Sequence, residues 1–278
     1  MPKSFITYFK KFLKILVIHL FLFLQINIIH ANDVPEKFIG VANVNCPYVC
    51  ENKSVNSGFL IEIVRRSLAY SGVKFDYKIL SQKEFADSIK NGSADVFIGT
   101  TKNESDAGLL LFNSNSIIKA SFSLYEINKY SSDQNYTGTD DTFFKNKILG
   151  VQSKNKSLIT EIKKYIINNM LRNPEYFMFF DSENIIKSEV EALLNNKIDV
   201  LLENDDAINY CVSLEPGLKD KIIKIKSFDQ KIDFYISFPN SKEGKRYLDL
   251  FESGFKKLSS NDGYQILELR KKYGLNKQ

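Results

Sequence analysis

The sequence contains no tryptophan and only two histidines, and both histidines, His19 and His30, lie within the first 31 residues. This leading segment has the order of a secretory signal peptide, so we expect the exported chain to contain no histidine. Serine–histidine and cysteine–histidine catalysis and histidine-ligated zinc are therefore excluded for the exported chain. We accordingly predict no catalytic residue, no metal site and no cofactor.

The leader combines four lysines and no acid in residues 1–14 with an apolar stretch of ten at 15–24. That stretch is shorter than the about 20 residues that a membrane-spanning helix needs. The small residue Ala31 is the expected cleavage site. Ile29 is larger than the residue usual two positions before a cut, so an uncleaved anchor is the alternative. Because no cysteine precedes Cys46, the lipid-anchored form is absent, and we expect a soluble periplasmic protein.

An excess of positive charge is absent once the leader is removed. The leader carries four of the 38 basic residues and none of the 33 acidic ones, which leaves 34 against 33, or +1. A near-neutral chain lacks the field that nucleic-acid binding needs, so we predict no nucleic-acid partner. With 278 residues, of which 44% are hydrophobic, the chain is long enough for two domains with their own cores.

Two distant segments share one pattern. NGSADVFIG at 91–99 and NNKIDVLLE at 195–203 each place a turn with asparagine before Asp-Val and an apolar run. The pattern predicts a helix end, a tight turn and a buried strand in each of two similar halves. We interpret Asp95 and Asp199 as turn residues rather than site residues.

Each half alternates strands and helices, which predicts a parallel sheet covered by helices. The predicted strands are 37–44, 73–80, 94–99, 147–152, 176–180 and 198–203. The predicted helices include 82–91, 156–171, 184–195, 205–213, 242–258 and 262–274. Two further β-rich segments, 116–127 and 231–240, bracket the second half.

The simplest topology is a two-lobed α/β protein in which the two β-rich segments cross between the lobes. Residues 32–122 and 236–278 would form the first lobe and residues 123–235 the second. Ligands bind beyond the carboxyl ends of strands in such sheets. We therefore expect Thr100 and Glu203, just past the repeated strands, to face each other across a cleft.

The motif order resembles periplasmic solute-binding protein family 3, the receptors of amino-acid-type ABC transporters, of which the chain looks like a divergent member. The motifs run through the exported chain as Pro47-Tyr48, GFLIEI (58–63), NGSADVFIG (91–99) with Thr100-Thr101, LGVQS (149–153), NNKIDVLLEND (195–205) and DGYQILELRKKYG (262–274). The resemblance implies the type II, Venus-flytrap fold and a ligand held between the lobes. It also implies a monomer that works with an ABC permease or a membrane sensor.

The ligand-binding residues that the resemblance implies are Tyr48, Gly99, Thr100, Thr101, Gln152, Ser153, Asn155, Glu203 and Asn204. Each has an ordinary structural alternative. Tyr48 could pack on its own lobe, Thr100 and Thr101 could cap a turn, and Glu203 could cap the following helix. The basic run 270–272 is interpreted as a solvated face that could also touch a permease.

Two positions depart from the family pattern. Asp106 stands where amino-acid binders carry an arginine that grips the ligand carboxylate, and Asp106 is a further candidate contact or else a solvated loop charge. Asn204 stands where the family has an aspartate for the amino group, with Glu203 and Asp205 beside it. These departures argue against a free α-amino acid. The acids suit a cationic or hydroxyl-rich ligand better.

Cys46 and Cys50 flank Tyr48 in an exported chain, so we expect a small disulfide that shapes the loop presenting this tyrosine. Two free thiols, or pairing of one of them with Cys211, are the alternatives. Cys211 is otherwise interpreted as a buried apolar residue.

Three functions remain open on the sequence. The first is a solute-binding receptor that delivers a small polar solute to an ABC permease, with no enzymatic activity. The second is an orphan sensor or interaction protein on the same scaffold. The third is an enzyme like the cyclohexadienyl dehydratases among the family's relatives, with Glu203 as acid or base.

Overall fold

Nine strands and seven α-helices form from the apolar runs in the described part of the chain. In the computed structural model the described residues are 37–51, 58–102, 108–128, 143–153, 159–181, 185–260 and 263–275. The leader with its expected cleavage site Ala31, and the candidate residues Asp106 and Asn155, lie outside the described residues. None of the helices described is long and apolar enough to cross a membrane.

The strands are β1 (Lys37–Asn43), β2 (Lys74–Leu80), β3 (Val96–Thr100), β4 (Leu110–Phe112), β5 (Ile118–Ile127), β6 (Leu149–Gln152), β7 (Phe177–Phe180), β8 (Val200–Asn204) and β9 (Ile222–Pro239). The α-helices are α1 (Phe59–Tyr70), α2 (Gln82–Asn91), α3 (Thr160–Asn169), α4 (Ile185–Leu194), α5 (Asp205–Leu214), α6 (Lys242–Ser259) and α7 (Tyr264–Lys272). Single 3-10 turns lie at Pro174–Tyr176 and Pro216–Leu218.

The sheet order is β2-β1-β3-β9-β5-β8-β6-β7, with β4 also beside β9. At one end of this order β2, β1 and β3 form a first group, in which β1 and β3 are parallel. At the other end β8, β6 and β7 form a second group, in which β6 is parallel to both β7 and β8. The long strands β5 and β9 pair with each other in antiparallel fashion and connect the two groups, because β9 also pairs with β3 and β5 with β8. The two β-rich segments therefore cross between the groups.

The repeated sequence pattern produces the same local structure twice. Helix α2 ends at Gly92 with φ 58°, and the turn after α4 places Asn196 at φ 54°, both in the left-handed region. The carboxylate of Asp95 accepts a 2.8 Å hydrogen bond from the Ile39 amide of β1. Asp199 accepts one of 2.8 Å from Ile148, just before β6. Each aspartate thus ties a turn to the first strand of its own group.

The apolar face of α1 packs inward, with Leu60, Ile63, Val64 and Leu68 all buried. The backbone of α1 lies so close to α6 that a Cβ on Gly254 would be 1.8 Å from the Ser67 carbonyl oxygen. This close crossing holds the carboxyl-terminal helices against the first group of strands.

Two strands differ from the expectation. β9 begins at Ile222, nine residues before the predicted start at 231, because residues 222–227 pair with β5. β4 has only three residues, too few for a periodic signal.

Candidate functional site

The loop after β1 is held by a disulfide and by hydrogen bonds to the start of α1. Cys46 and Cys50 form a disulfide, with their Cα atoms 4.7 Å apart. The Tyr48 amide donates to the Asn45 carbonyl at 2.9 Å inside the resulting turn. The first amides of α1 lack helical partners, as at any helix start, and two of them donate to this loop instead. Phe59 bonds the Pro47 carbonyl and Leu60 the Tyr48 carbonyl, each at 3.0 Å.

Gly58 allows this close contact between the loop and α1. A Cβ at this position would lie 2.2 Å from the Tyr48 carbonyl oxygen, far inside contact distance. The Gly-Phe pair at 58–59 therefore fixes the position of Tyr48 relative to the helix.

Tyr48 is completely buried, and its hydroxyl takes part in a ring of hydrogen bonds with the end of β8 and the start of α5. The hydroxyl donates to Oδ2 of Asp206 at 2.8 Å and accepts from Nδ2 of Asn204 at 3.1 Å. Oδ1 of Asn204 accepts from the Asp206 amide at 2.9 Å. The Tyr48 ring packs against Phe234 of β9, with centroids 5.6 Å apart. The carboxyl ends of β1 and β8 therefore meet through paired polar groups.

Asn204 is the N-cap of α5, since its side chain accepts a hydrogen bond from the backbone N–H of Asp206. The capping role considered for Glu203 thus belongs to Asn204. The carboxylate of Glu203 accepts from the Asn204 amide at 2.7 Å.

The adjacent acids Asp205 and Asp206 contact different parts of the protein. Asp205 accepts from the Tyr125 hydroxyl at 2.7 Å and from Nζ of Lys224 at 2.6 Å, on strands β5 and β9. Asp206 instead contacts Tyr48 in the loop after β1. Both acids lie in the first turn of α5, where the helix dipole favours negative charge.

Both tyrosines have their pKa raised above the usual value. Burial is the main cause for Tyr48, and the charge of Asp206 adds to it. Burial also raises the pKa of Tyr125, with the charge of Asp205 as the second cause. Both hydroxyls therefore keep their protons and donate hydrogen bonds to the neighbouring carboxylates.

Arg270 corrects the expectation that the basic run 270–272 is a solvated face. Arg270 is buried, whereas Lys271 and Lys272 are exposed. Its guanidinium lies 5.3 Å from the centre of the Phe59 ring, at the start of α1. Burial lowers the pKa of Arg270, and the charge of Asp206 opposes this shift. A positive charge from α7 therefore lies near the Tyr48–Asp206 contact.

A second polar cluster joins β6, α4 and β8. Nε2 of Gln152 donates to Oε2 of Glu203 at 2.7 Å and to Oε2 of Glu189 at 3.3 Å. All three side chains are buried. Oε1 of Gln152 is buried without a hydrogen-bond partner among the described residues. The cluster thus combines two buried carboxylates with one unused acceptor.

The other predicted residues have mixed surroundings. Thr100 is buried and its hydroxyl donates to Oγ of Ser237 at 2.9 Å, so its side chain is bound to β9. Gly99 has φ 78°, next to a register shift between β3 and β9, and Thr101 is half-buried. The Ser153 amide donates to Phe180 of β7 at 3.1 Å. Thr100 and Glu203 both lie inside the protein, and whether they face each other stays a prediction.

Sequence reasoning missed Asp206, Glu189 and Arg270. Asp206 was detectable only as a second acid in a helix start. Glu189 lies within an ordinary amphipathic helix. Arg270 lies in a run of three basic residues, and no local signal separates it from its exposed neighbours. Cys211 is half-buried and unpaired, which leaves the Cys46–Cys50 disulfide as the pairing.

No family model matches the sequence, and no curated protein matches it. Solved structures do. An ancestral arginine-binding protein bound to arginine matches with TM-score 0.66 and 14% identity, covering 87% of this chain and 99% of that one. The arginine-, lysine-, histidine-binding protein ArtJ of Geobacillus stearothermophilus matches with TM-score 0.62 and 18% identity, covering 85% and 94%.

A histidine kinase sensor domain with similarity to periplasmic binding proteins matches with TM-score 0.62 and 13% identity, covering 85% of this chain and 95% of that one. At such identities the likeness shows the fold alone. The chain has the two-lobed α/β fold of periplasmic binding proteins, and β5 and β9 are its crossover strands.

Proposed function

We propose that the protein is an extracytoplasmic receptor that captures a small polar solute between its two lobes. The observation that carries this proposal is the meeting of strand ends from both lobes at buried polar groups, Tyr48 from one side and Asn204 and Asp206 from the other. Ligands of open α/β sheets bind at such strand ends. The likeness to arginine-binding proteins supports the same function.

The charges near the strand ends favour a ligand with hydrogen-bond donors. Glu189 and Glu203 are buried beside β6 and β8, and the Oε1 acceptor of Gln152 is unused among the described residues. A buried acceptor is stabilised by a donor, so an ammonium or hydroxyl group of the solute fits this position. We propose Gln152, Glu203 and Asn204 as second-lobe contacts and Tyr48 with the segment 99–101 as first-lobe contacts.

The crossover strands supply a place for the lobes to move. The pairing of β5 with β9 shifts register between Ser121 and Ser123, where three residues, 228–230, lie opposite Phe122 alone. Such irregularities interrupt the ladder and bend the strand. We propose that the first lobe comprises 32–122 and 236–278 and that bending near residue 122 opens and closes the cleft.

Delivery to an ABC permease is the proposed outcome of closure. A membrane sensor as partner is the second candidate, favoured by the likeness to a histidine kinase sensor domain. Both candidates assume the same capture of the solute. They differ in the partner that the closed form contacts, a permease in the first and a membrane sensor in the second.

Native mass spectrometry of protein purified gently from a periplasmic extract tests the proposal. We expect a discrete added mass that disappears on denaturation and identifies the solute. Absence of an added mass, together with no thermal shift for amino acids, polyamines and sugars, would contradict solute capture and favour an interaction protein.

A further inference from the structure

Tyr48 and Asp206 connect the lobes through the protein's own groups. Tyr48 belongs to the loop after β1, and this loop is tied to α1 by the Phe59 and Leu60 amides. Asp206 belongs to α5, which directly follows β8. Their 2.8 Å hydrogen bond therefore joins one lobe to the other. Because both partners are part of the chain, this bond stabilises the closed arrangement whether or not a solute is bound.

The contact is desolvated on both sides. Tyr48 has 0% of its surface exposed, Asn204 2% and Asp206 7%. A hydrogen bond from a neutral donor to a carboxylate is worth more than a neutral pair, and the gain is largest where water is excluded. When the lobes separate, the hydrogen bond between the Tyr48 hydroxyl and the Asp206 carboxylate is broken.

We propose that the Tyr48–Asp206 hydrogen bond is a latch that keeps the two lobes closed before any solute binds. Asn204 positions both partners. Its side-chain Nδ2 donates to the Tyr48 hydroxyl, and its Oδ1 accepts a hydrogen bond from the backbone N–H of Asp206. Arg270 places a positive charge on the first-lobe side, next to Phe59.

The latch rests on the proposed function in one respect, since only a receptor whose lobes separate has an open form to oppose. A solute shifts an open–closed equilibrium by its differential affinity for the two forms. A contact within the chain that favours closure reduces the free energy of closure that solute binding must supply. The resting protein is then mainly closed, and the solute enters during short openings.

The chain contains a matched comparison for this contact. Tyr125 donates to Asp205 at 2.7 Å, as Tyr48 does to Asp206 at 2.8 Å, and both acids begin the same helix. Tyr125 lies on β5 directly beside β8, so its bond stays within the second lobe. Tyr125→Phe removes an equivalent buried hydroxyl without touching the latch.

The interlobe distance can be measured by pulsed electron paramagnetic resonance. Spin labels are placed at the exposed positions Lys83 on α2 and Lys164 on α3, after substitution to cysteine in a Cys211→Ser background. Native mass spectrometry first verifies that the purified protein carries no added mass. The parent protein is compared with Asp206→Ala, Tyr48→Phe, their double variant and Tyr125→Phe.

We expect the parent and Tyr125→Phe to give mainly the short distance. In Asp206→Ala and Tyr48→Phe the ratio of open to closed should rise about 10- to 100-fold, as for a lost hydrogen bond to a charged group. The double variant should open no further than the more open single variant. If Asp206→Ala does not fold, Tyr48→Phe carries the test alone, because it removes the donating hydroxyl and keeps the ring.

Identical distances in Asp206→Ala, Tyr48→Phe and Tyr125→Phe would overturn the latch. A parent protein that is mainly open, or additive effects in the double variant, would overturn it as well. The receptor function fails on a different result, namely that no solute narrows the distances in any variant and none is found by mass spectrometry.

Discussion

Tyr48 and Asp206, 158 positions apart in sequence, are joined by a 2.8 Å hydrogen bond between a fully buried phenol and the first turn of α5. The bond brings the loop after the first strand to the helix after β8. Asn204 completes the ring, and an amide at this position can donate to Tyr48 and accept from Asp206 at once. An asparagine at position 204 therefore has a geometric reason in this chain.

Asn204→Asp tests that reason directly. The introduced carboxylate could still cap α5, but it could not donate to the Tyr48 hydroxyl, which has a single proton for two carboxylates. We expect the free energy of unfolding at pH 7 to fall by about 2 kcal/mol, as for a buried group left without its partner. Urea denaturation measures this, with Asn195→Asp, at an exposed position, as the control.

The loss in Asn204→Asp should shrink near pH 4, because a protonated carboxyl regains a donor. Equal stability of Asn204→Asp and the parent at pH 7 would show that the donor function of Asn204 is unimportant.

Tyr48 and Tyr125 are expected to lower the free energy of unfolding at alkaline pH. Burial and the neighbouring aspartates raise the pKa of both phenols in the folded protein, whereas an unfolded tyrosine has a pKa of about 10. Between these values the folded state keeps a proton that the unfolded state has lost, so stability falls as the pH rises above about 10. Each such tyrosine contributes a slope of up to about 1.4 kcal/mol per pH unit.

Urea denaturation between pH 9 and 11.5 should therefore give a shallower decline for Tyr48→Phe and for Tyr125→Phe than for the parent. The absence of tryptophan leaves the phenolate absorbance unobscured, so the same samples report ionisation. Parallel declines in all three proteins would contradict the expectation.

The two α/β units could be predicted from the sequence because their information is local. Gly92 and Asn196 end helices at the same point of each unit, and Asp95 and Asp199 follow at matching positions. Turn chemistry and apolar runs are sufficient to recognise such elements. The first half of β9 escaped prediction because its pairing with β5, and not its composition, makes it a strand.

The side-chain pairings of the site could not be predicted. Successive residues of a helix start point about 100° apart, so Asp205 and Asp206 were bound to differ in surroundings. Which one meets Tyr48 depends on how the lobes approach, and no local pattern records that. Arg270 is buried for the same kind of reason, because α7 turns this one basic residue toward Phe59.

Gln152 is expected to stabilise two buried acids at once. Its Nε2 donates to both Glu203 and Glu189, and Gln152→Met keeps the length of the side chain but removes both donors. We expect a loss of about 2–3 kcal/mol in the free energy of unfolding. Gln82→Met, exposed at the start of α2, should change stability by less than about 0.5 kcal/mol.

Adding Glu189→Gln to Gln152→Met should recover part of the loss, since one of the two facing carboxylates is then replaced by an amide. A double variant that is less stable than Gln152→Met would contradict the shared-donor arrangement.

Gly58→Ala tests how strictly Tyr48 must be placed. The added Cβ would lie 2.2 Å from the Tyr48 carbonyl oxygen and 2.7 Å from Cα of Val49, both backbone atoms that cannot rotate away. The loop must move off α1, which breaks the bonds from the Phe59 and Leu60 amides. We expect a loss of more than about 2 kcal/mol in the free energy of unfolding, in the range of overpacked sites. Gly217→Ala is the matched control, because a Cβ there meets nothing within 4 Å, and equal stabilities of the two variants would mean that the loop has room to shift.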